Sequence, residues 1–218
     1  MVVKKSDGAA RFVPVDRTLT VLANAVQKCK GCDLYRNATQ AVFGELETHK
    51  GSAHPKVAIM MIGEQPGDQE DKQGRPFVGP AGKLLDKALE EAAIDRGEVY
   101  VTNAVKHFKW EPRGKIRLHK KPSMKEIKAC RPWLDAEIEM VRPKLIVALG
   151  ATAAQGLLGA SFRITQAHGK VQEEAGLPPI IATLHPSAIL RARTEEDRHR
   201  EMRVLVEDLR EAAKIAGR

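Results

Sequence analysis

The sequence predicts an α/β domain, a three-layer α/β/α sandwich around a four-stranded, mostly parallel sheet. Three observations carry that expectation. Four short apolar runs, at residues 57–62, 99–102, 145–149 and 180–184, have no polar face, as strands buried on both sides require. Amphipathic helical stretches alternate with them, which is the order of parallel βαβ units. The 218 residues, 43% hydrophobic and 29% charged, suit one globular core better than two.

Taken in order, residues 1–18 lack periodicity and read as a flexible arm, and 19–218 as a single domain. Residues 19–26 have the apolar spacing of a short helix that runs into Cys29-Lys-Gly-Cys32. Residues 44–55 mix Gly, Ser, His and charge, as a surface loop does. The first strand ends at Gly63. Gly79-Pro80 then opens a helix, because proline at the first helical position forfeits no hydrogen bond, and Ala81, Leu84, Leu85, Ala88, Leu89 and Ala92 share one stripe. After the second strand, Ser123 and Glu126 form a capping box ahead of a helix to about Val141, stopped by Pro143. The third strand leads through Gly150 into an Ala-rich helix. Thr194 and Asp197 start the last helix, with Met202, Leu205, Val206 and Leu209 inward. No apolar run reaches the roughly 18 residues of a membrane span. The amino terminus has no apolar stretch for secretion either, so a cytoplasmic protein is expected, nucleoid-associated in a bacterium, with no membrane partner, and nothing in the sequence suggests more than a monomer.

In open α/β sheets ligands sit beyond the carboxyl ends of the strands. Those ends carry Gly63-Glu-Gln-Pro-Gly67, Asn103 to His107, Gly150-Ala-Thr152 and His185-Pro-Ser187. The first loop lacks the spacing of a phosphate loop. It offers backbone N–H groups beside Glu64 and Gln65, with Asp68 and Asp71 just after. Asn103 has a donor and an acceptor, enough to pair with an imide edge. His185, on a tight turn after a buried strand, occupies a catalytic position.

Net charge is +8, and its distribution is uneven. Lys106, Lys109, Arg113, Lys115, Arg117, Lys120 and Lys121 stand against Glu111 alone, with Phe108 and Trp110 among them. Cations that grip phosphate and aromatics that stack bases make nucleic acid the leading partner. Pro112, Gly114 and Pro122 mark the segment, at about 108–122, as a basic loop insertion. Three cysteines are too few and too uneven for a disulfide framework. Cys29, Cys32 and Cys130 leave a four-ligand site one short, and His107 is a candidate for the fourth place. Zinc on Cys₃His and a [4Fe–4S] cluster both suit those donors, whereas the spread along the chain excludes a compact zinc finger.

Together these motifs resemble the family 4 uracil-DNA glycosylases. The resemblance runs from about Cys29 to Arg210. It rests on the C-x-x-C, the Gly-Glu-Gln-Pro-Gly loop, Pro76-Phe-Val-Gly-Pro-Ala-Gly82, Thr102-Asn103 and His185-Pro-Ser187. That family binds a [4Fe–4S] cluster through four cysteines. Here His107 stands in the third place, so the resemblance implies Cys29, Cys32, His107 and Cys130 as ligands. The first loop and Lys115-Ile-Arg-Leu-His119 are further similar to the UdgX subgroup, whose loop reads K-R-R-I-H; Ile116 and Leu118 depart from it. Members of that subgroup excise uracil and stay bonded to the sugar.

The resemblance implies uracil-containing DNA as partner, single strands preferred, and a covalent bond from His119 to deoxyribose C1′. It implies that Phe77 stacks on uracil, Asn103 reads its imide edge and the backbone of Gly63 to Gln65 binds a carbonyl. His185 would stabilise the leaving uracil, and Glu64 would orient or deprotonate the attacking group. Arg117 would hold a phosphate, and Asp68, Asp71, Lys115 and Ser187 add substrate contacts. The cations beside His119 would keep its ring neutral. The competing readings are a conventional glycosylase that turns over and a non-catalytic Fe–S or zinc protein that binds single strands. Pure binding needs neither Glu64 nor His185.

Overall fold

A computed structural model describes residues 8–46 and 57–217. Its first elements are α1 (Leu19–Val26), β1 (Glu45–Leu46), β2 (Ile59–Gly63), α2 (Asp68–Gln73), α3 (Pro80–Glu91) and β3 (Val99–Asn103). There follow β4 (Trp110–Arg113), β5 (Ile116–His119), α4 (Met124–Val141), β6 (Leu145–Leu149), α5 (Gly150–Leu158) and α6 (Ile164–Ala167). The chain closes with β7 (Val171–Gln172), β8 (Ile180–Thr183), α7 (Pro186–Leu190) and α8 (Glu195–Ile215).

The four expected strands form the parallel centre of the sheet, in the order β3-β2-β6-β8. Two antiparallel edge strands, β1 on β3 and β7 on β8, make the sheet six-stranded rather than four-stranded. At two residues each, they are too short to show a pattern in sequence. The continuous apolar runs follow from burial on both faces. Ile59, Met61, Val101, Val147 and Ile181 pack under Leu85 and Leu89 of α3 and Leu205 and Leu209 of α8. Their neighbours Met60, Ile62, Tyr100, Ile146 and Ile180 pack on Leu134 and Ile138 of α4 and Leu157 of α5. The capping box is formed: Ser123 Oγ accepts from Glu126 N, and Glu126 Oε2 accepts from Ser123 N at 2.6 Å.

Two expectations need correction, and two segments gain structure. At Ala9 the expected loose arm is packed: Ala9 is buried, its N–H donates to Ala129 O at 2.8 Å, and it lies against Gly31, where a Cβ would be 2.7 Å from Ala9 Cα. Residues 1–7 lie outside the described residues. The basic segment is not a loop. It is the hairpin β4–β5, with Trp110 opposite His119 and Arg113 opposite Ile116, turning at Gly114 with φ +60°. Pro112 is tolerated because a two-stranded ribbon leaves one side of each strand unpaired. The acids after the first loop belong to α2, whose polar sequence has no apolar stripe. Within 44–55, Glu45 and Leu46 are strand, and 47–55 lie outside the described residues.

Candidate active site

The strand order reverses between β2 and β6, the switch point beyond which open α/β sheets bind ligands. Glu64, just past β2, and Thr152, at the start of α5, close across it: the Thr152 hydroxyl donates to Glu64 Oε2. Gly63 packs against Asn103 and Phe77 at the end of β2. A Cβ there would overlap Asn103 Oδ1 and stand 2.8 Å from Phe77 Cζ, so both groups lie directly against the glycine. Phe77 holds φ +56°, a left-handed conformation that is uncommon for a bulky residue. Its backbone is wedged against Gly82, where any Cβ would overlap the Phe77 carbonyl. The Asn103 side chain is buried and its Nδ2 has no hydrogen-bond partner. A buried unmet donor costs about 1–3 kcal/mol until something pairs with it.

His185 stands opposite, its ring 6.2 Å from that of Phe77 and inclined by 26°. Its Nδ1 accepts from Ser187 N at 3.1 Å, which leaves the proton on Nε2. Burial pushes its pKa down to about 4, with Arg191 and His119 acting in the same direction. His185 is therefore a neutral donor at neutral pH. Ser187 contributes this contact through its backbone.

The hairpin brings His119 to 3.5 Å from Glu64, and Gln65 anchors it there. Gln65 Oε1 accepts from Lys109 N at 3.0 Å, which identifies the other atom as the NH₂ group. That group donates to Lys109 O at 3.2 Å and Lys120 O at 3.0 Å, and lies 2.9 Å from His119 Nε2. An N–H facing an NH₂ group would clash, so His119 Nε2 carries a lone pair. Glu64 Oε1 lies 3.5 Å from the same nitrogen. The His119 pKa is lowered chiefly by burial. Glu64 opposes the shift and Arg191 adds to it. The ring is neutral as expected, but for a different reason, since Lys120 is paired with Glu111 at 2.9 Å.

Arg117 is engaged within the protein. Its guanidinium donates to Asp68 Oδ1 at 2.5 Å and to Asp71 Oδ2 at 2.6 Å, and it lies over the rings of Phe108 and Trp110. Asp71 is fully buried and also accepts from Thr39 N at 3.0 Å. Arg117, Asp68 and Asp71 therefore pin the hairpin onto α2. Among the described residues, Arg113, Lys115 and Lys121 are exposed cations with no ion-pair partner. Sequence reasoning missed Arg191 and the role of Thr152, although both follow strand ends closely.

A sequence profile of the uracil DNA glycosylase superfamily matches residues 50–210. The chain is 38% identical to the type-4 uracil-DNA glycosylase of Thermotoga maritima over 198 residues, covering 90% of this chain and 94% of that protein. The chain belongs to the type-4 uracil-DNA glycosylase family. It is also 37% identical to the type-4 enzyme of Sulfurisphaera tokodaii, over 79% of this chain and 76% of that protein. A type-5 uracil-DNA glycosylase from Pyrobaculum aerophilum is 30% identical over 73% of this chain and 72% of that protein. Among the described residues no helix is long and apolar enough to cross a membrane.

In this type-4 family chain the cysteines gather at one hydrophobic cluster. Cys29 and Cys130 are buried in one cluster with Trp133, and Cys32 packs against it. Burial raises the pKa of Cys32 and pushes that of Cys130 up to about 12; Cys29 adds to the first shift, and Cys29 and Cys32 add to the second. Trp133 Nε1 donates to Cys29 Sγ at 3.2 Å and Lys106 N donates to Cys130 Sγ at 3.3 Å, contacts that suit thiolate ligands. Among the described residues no three His, Cys, Asp or Glu side chains converge on one metal ion. A cubane cluster takes one ligand per iron, so its ligands ring a volume instead of meeting at a point. Three thiol donors on one hydrophobic cluster suit such a centre chemically. His107 is buried, with its pKa pushed down to about 4 by burial against the opposing pull of Asp71.

Proposed function

We propose that this chain is a uracil-DNA glycosylase that ends its reaction bonded to DNA through His119. The observation that carries the reading is the position of His119 Nε2, 2.9 Å from Gln65 Nε2 and 3.5 Å from Glu64 Oε1, on the hairpin beside the loop that follows Gly63. Uracil leaves the base stack to enter this site, which costs least from a single strand, the preferred substrate. Phe77 stacks on the base and Asn103 meets its imide edge, satisfying the orphaned Nδ2. As the C1′–N1 bond breaks, its electron pair leaves on uracil. The Nε2–H of neutral His185 donates to the carbonyl oxygen where that charge develops. The lone pair of His119 forms the new bond to C1′, and the ring becomes an alkylimidazolium beside the Glu64 carboxylate. The uracil anion then takes a proton from solvent. Holding the imidazole in place can supply several kcal/mol, about 7–11 at best.

Cys29, Cys32 and Cys130, with His107 as fourth ligand, would hold a [4Fe–4S] cluster. It would serve as a crosslink tying α1 and residues 8–18 to the sheet. A second reading has specific support: Gln65 Nε2 holds His119 Nε2 at 2.9 Å in a contact shared with Lys109 O and Lys120 O. If that contact persists with DNA bound, water takes C1′ and the enzyme turns over. His119→Ser separates the two. Under the covalent reading, wild type gives a denaturant-resistant protein–DNA band on uracil-containing single strands, and His119→Ser gives free abasic DNA instead. A crosslink that survives in His119→Ser, or a wild type that forms none, removes the covalent reading.

A further inference from the structure

Behind Asn103 lies a buried charge pair that neither the sheet nor the chemistry so far described requires. Lys106 and Glu137 are both fully buried, and their charged groups are in direct contact. Lys106 Nζ also donates to Thr102 Oγ1 at 2.7 Å and to the backbone carbonyl of Asn103 at 2.8 Å. Glu137 Oε1 accepts from Gly44 N at 2.9 Å, Tyr100 OH at 3.0 Å and Thr102 Oγ1 at 2.9 Å. Every donor of the ammonium group is therefore used.

Such a pair is a poor source of stability. Desolvating two charges costs several kcal/mol, and apolar residues of equal volume often do as well or better. Its position is what distinguishes it. The turn from Asn103 to His107 is where three parts of the protein meet. Ala104 N donates to Gly63 O and Val105 N donates to Glu64 O, tying the turn to the catalytic loop. Lys106 N donates to Cys130 Sγ, tying it to the cysteine centre. Asn103 sits at the head of this turn, and its side chain is in contact range of Gly63. Its amide can meet an imide edge only if its own backbone is held still.

We infer that Lys106, with Glu137, is a positioning residue for uracil recognition, clamping the Asn103 backbone so that its side chain is preorganised in the pocket. The inference rests on Asn103 being the imide reader. A dispensable ion pair would be tolerated as a neutral pair. A clamp would not, because Lys106→Met leaves the Asn103 carbonyl without its donor.

The test uses the full chain carrying Lys106→Met with Glu137→Gln, which removes both charges and keeps an acceptor for Gly44 and Tyr100. Single-turnover uracil excision and inhibition by free uracil are measured, together with affinity for undamaged single-stranded DNA. Excision and uracil affinity should both fall about tenfold or more, with DNA affinity unchanged. In an Asn103→Ala background the pair of substitutions should add less than about a twofold loss. Thr102→Val, a milder change that frees one donor of Lys106, should show a smaller loss with the same non-additivity, and serves if the first variant does not fold. Folded variants with wild-type uracil inhibition, or losses fully additive with Asn103→Ala, overturn the clamp. If Asn103→Ala itself excises at the wild-type rate, the failure lies with the reading of Asn103.

Discussion

Gly63→Ala is the most exacting test of the pocket, because the same loop contains its control. The added methyl would overlap Asn103 Oδ1 and stand 2.8 Å from Phe77 Cζ. Ordinary carbon contacts are about 3.5–4.0 Å, so both side chains must yield by roughly 1 Å. Neither yields freely. The Phe77 backbone is pressed against Gly82 at φ +56°, and Asn103 is held by the sheet register opposite Gly63. A displacement of about 1 Å in a positioned site can cost 10²-fold in rate, so excision should slow about a hundredfold. Overpacking should cost about 1–3 kcal/mol of stability. Gly67→Ala is the control, since a Cβ there meets nothing within 4 Å. Single-turnover release of uracil from a labelled oligonucleotide, with thermal melting of each variant, measures both effects. A Gly63→Ala enzyme within about threefold of wild type, or an equal loss in Gly67→Ala, would refute this packing.

Three further outcomes are expected. Asp71→Ala leaves Arg117 and Thr39 N without their buried acceptor, so the hairpin loosens; the ratio of crosslinked to abasic product should fall more than uracil release does, as a quantitative gel will show. The pKa of His185 falls from an ordinary 6.5 to about 4, so the unfolded chain binds the proton more readily. Its contribution to stability is thus whole above pH 6.5 and is lost as pH drops toward 4; denaturant titrations at several pH values should show this slope reduced in His185→Gln. Purified protein should be brown and contain iron and sulfide, with iron lost in Cys130→Ser and reduced in His107→Ala. Stoichiometric zinc in a colourless, active preparation would refute the cluster.

Much of this protein could be read from sequence because much of it is local. A capping box acts over three residues, so Ser123 and Glu126 located the start of α4 without knowledge of the fold. A buried strand shows itself as a run of apolar residues, and the central strands stood out in that way. Loop residues at strand ends converge in any parallel sheet, so Glu64, Asn103 and His185 could be grouped in advance. Tertiary structure decided what depends on the path of the chain between distant residues. The charges of Lys106 and Arg117 looked like part of one solvated basic run, yet Lys106 is buried against a glutamate 31 positions away and Arg117 is fastened to α2. Glu137 left a faint trace, a charge on the otherwise apolar face of α4 that bears Trp133, Leu134 and Ile138. Pro112 and Gly114 read as loop because propensity counts single residues. The ribbon forms because Trp110, Arg117 and His119 share the face that packs inward. A charge has the same letter whether water or a carboxylate satisfies it, and only the folded chain determines which.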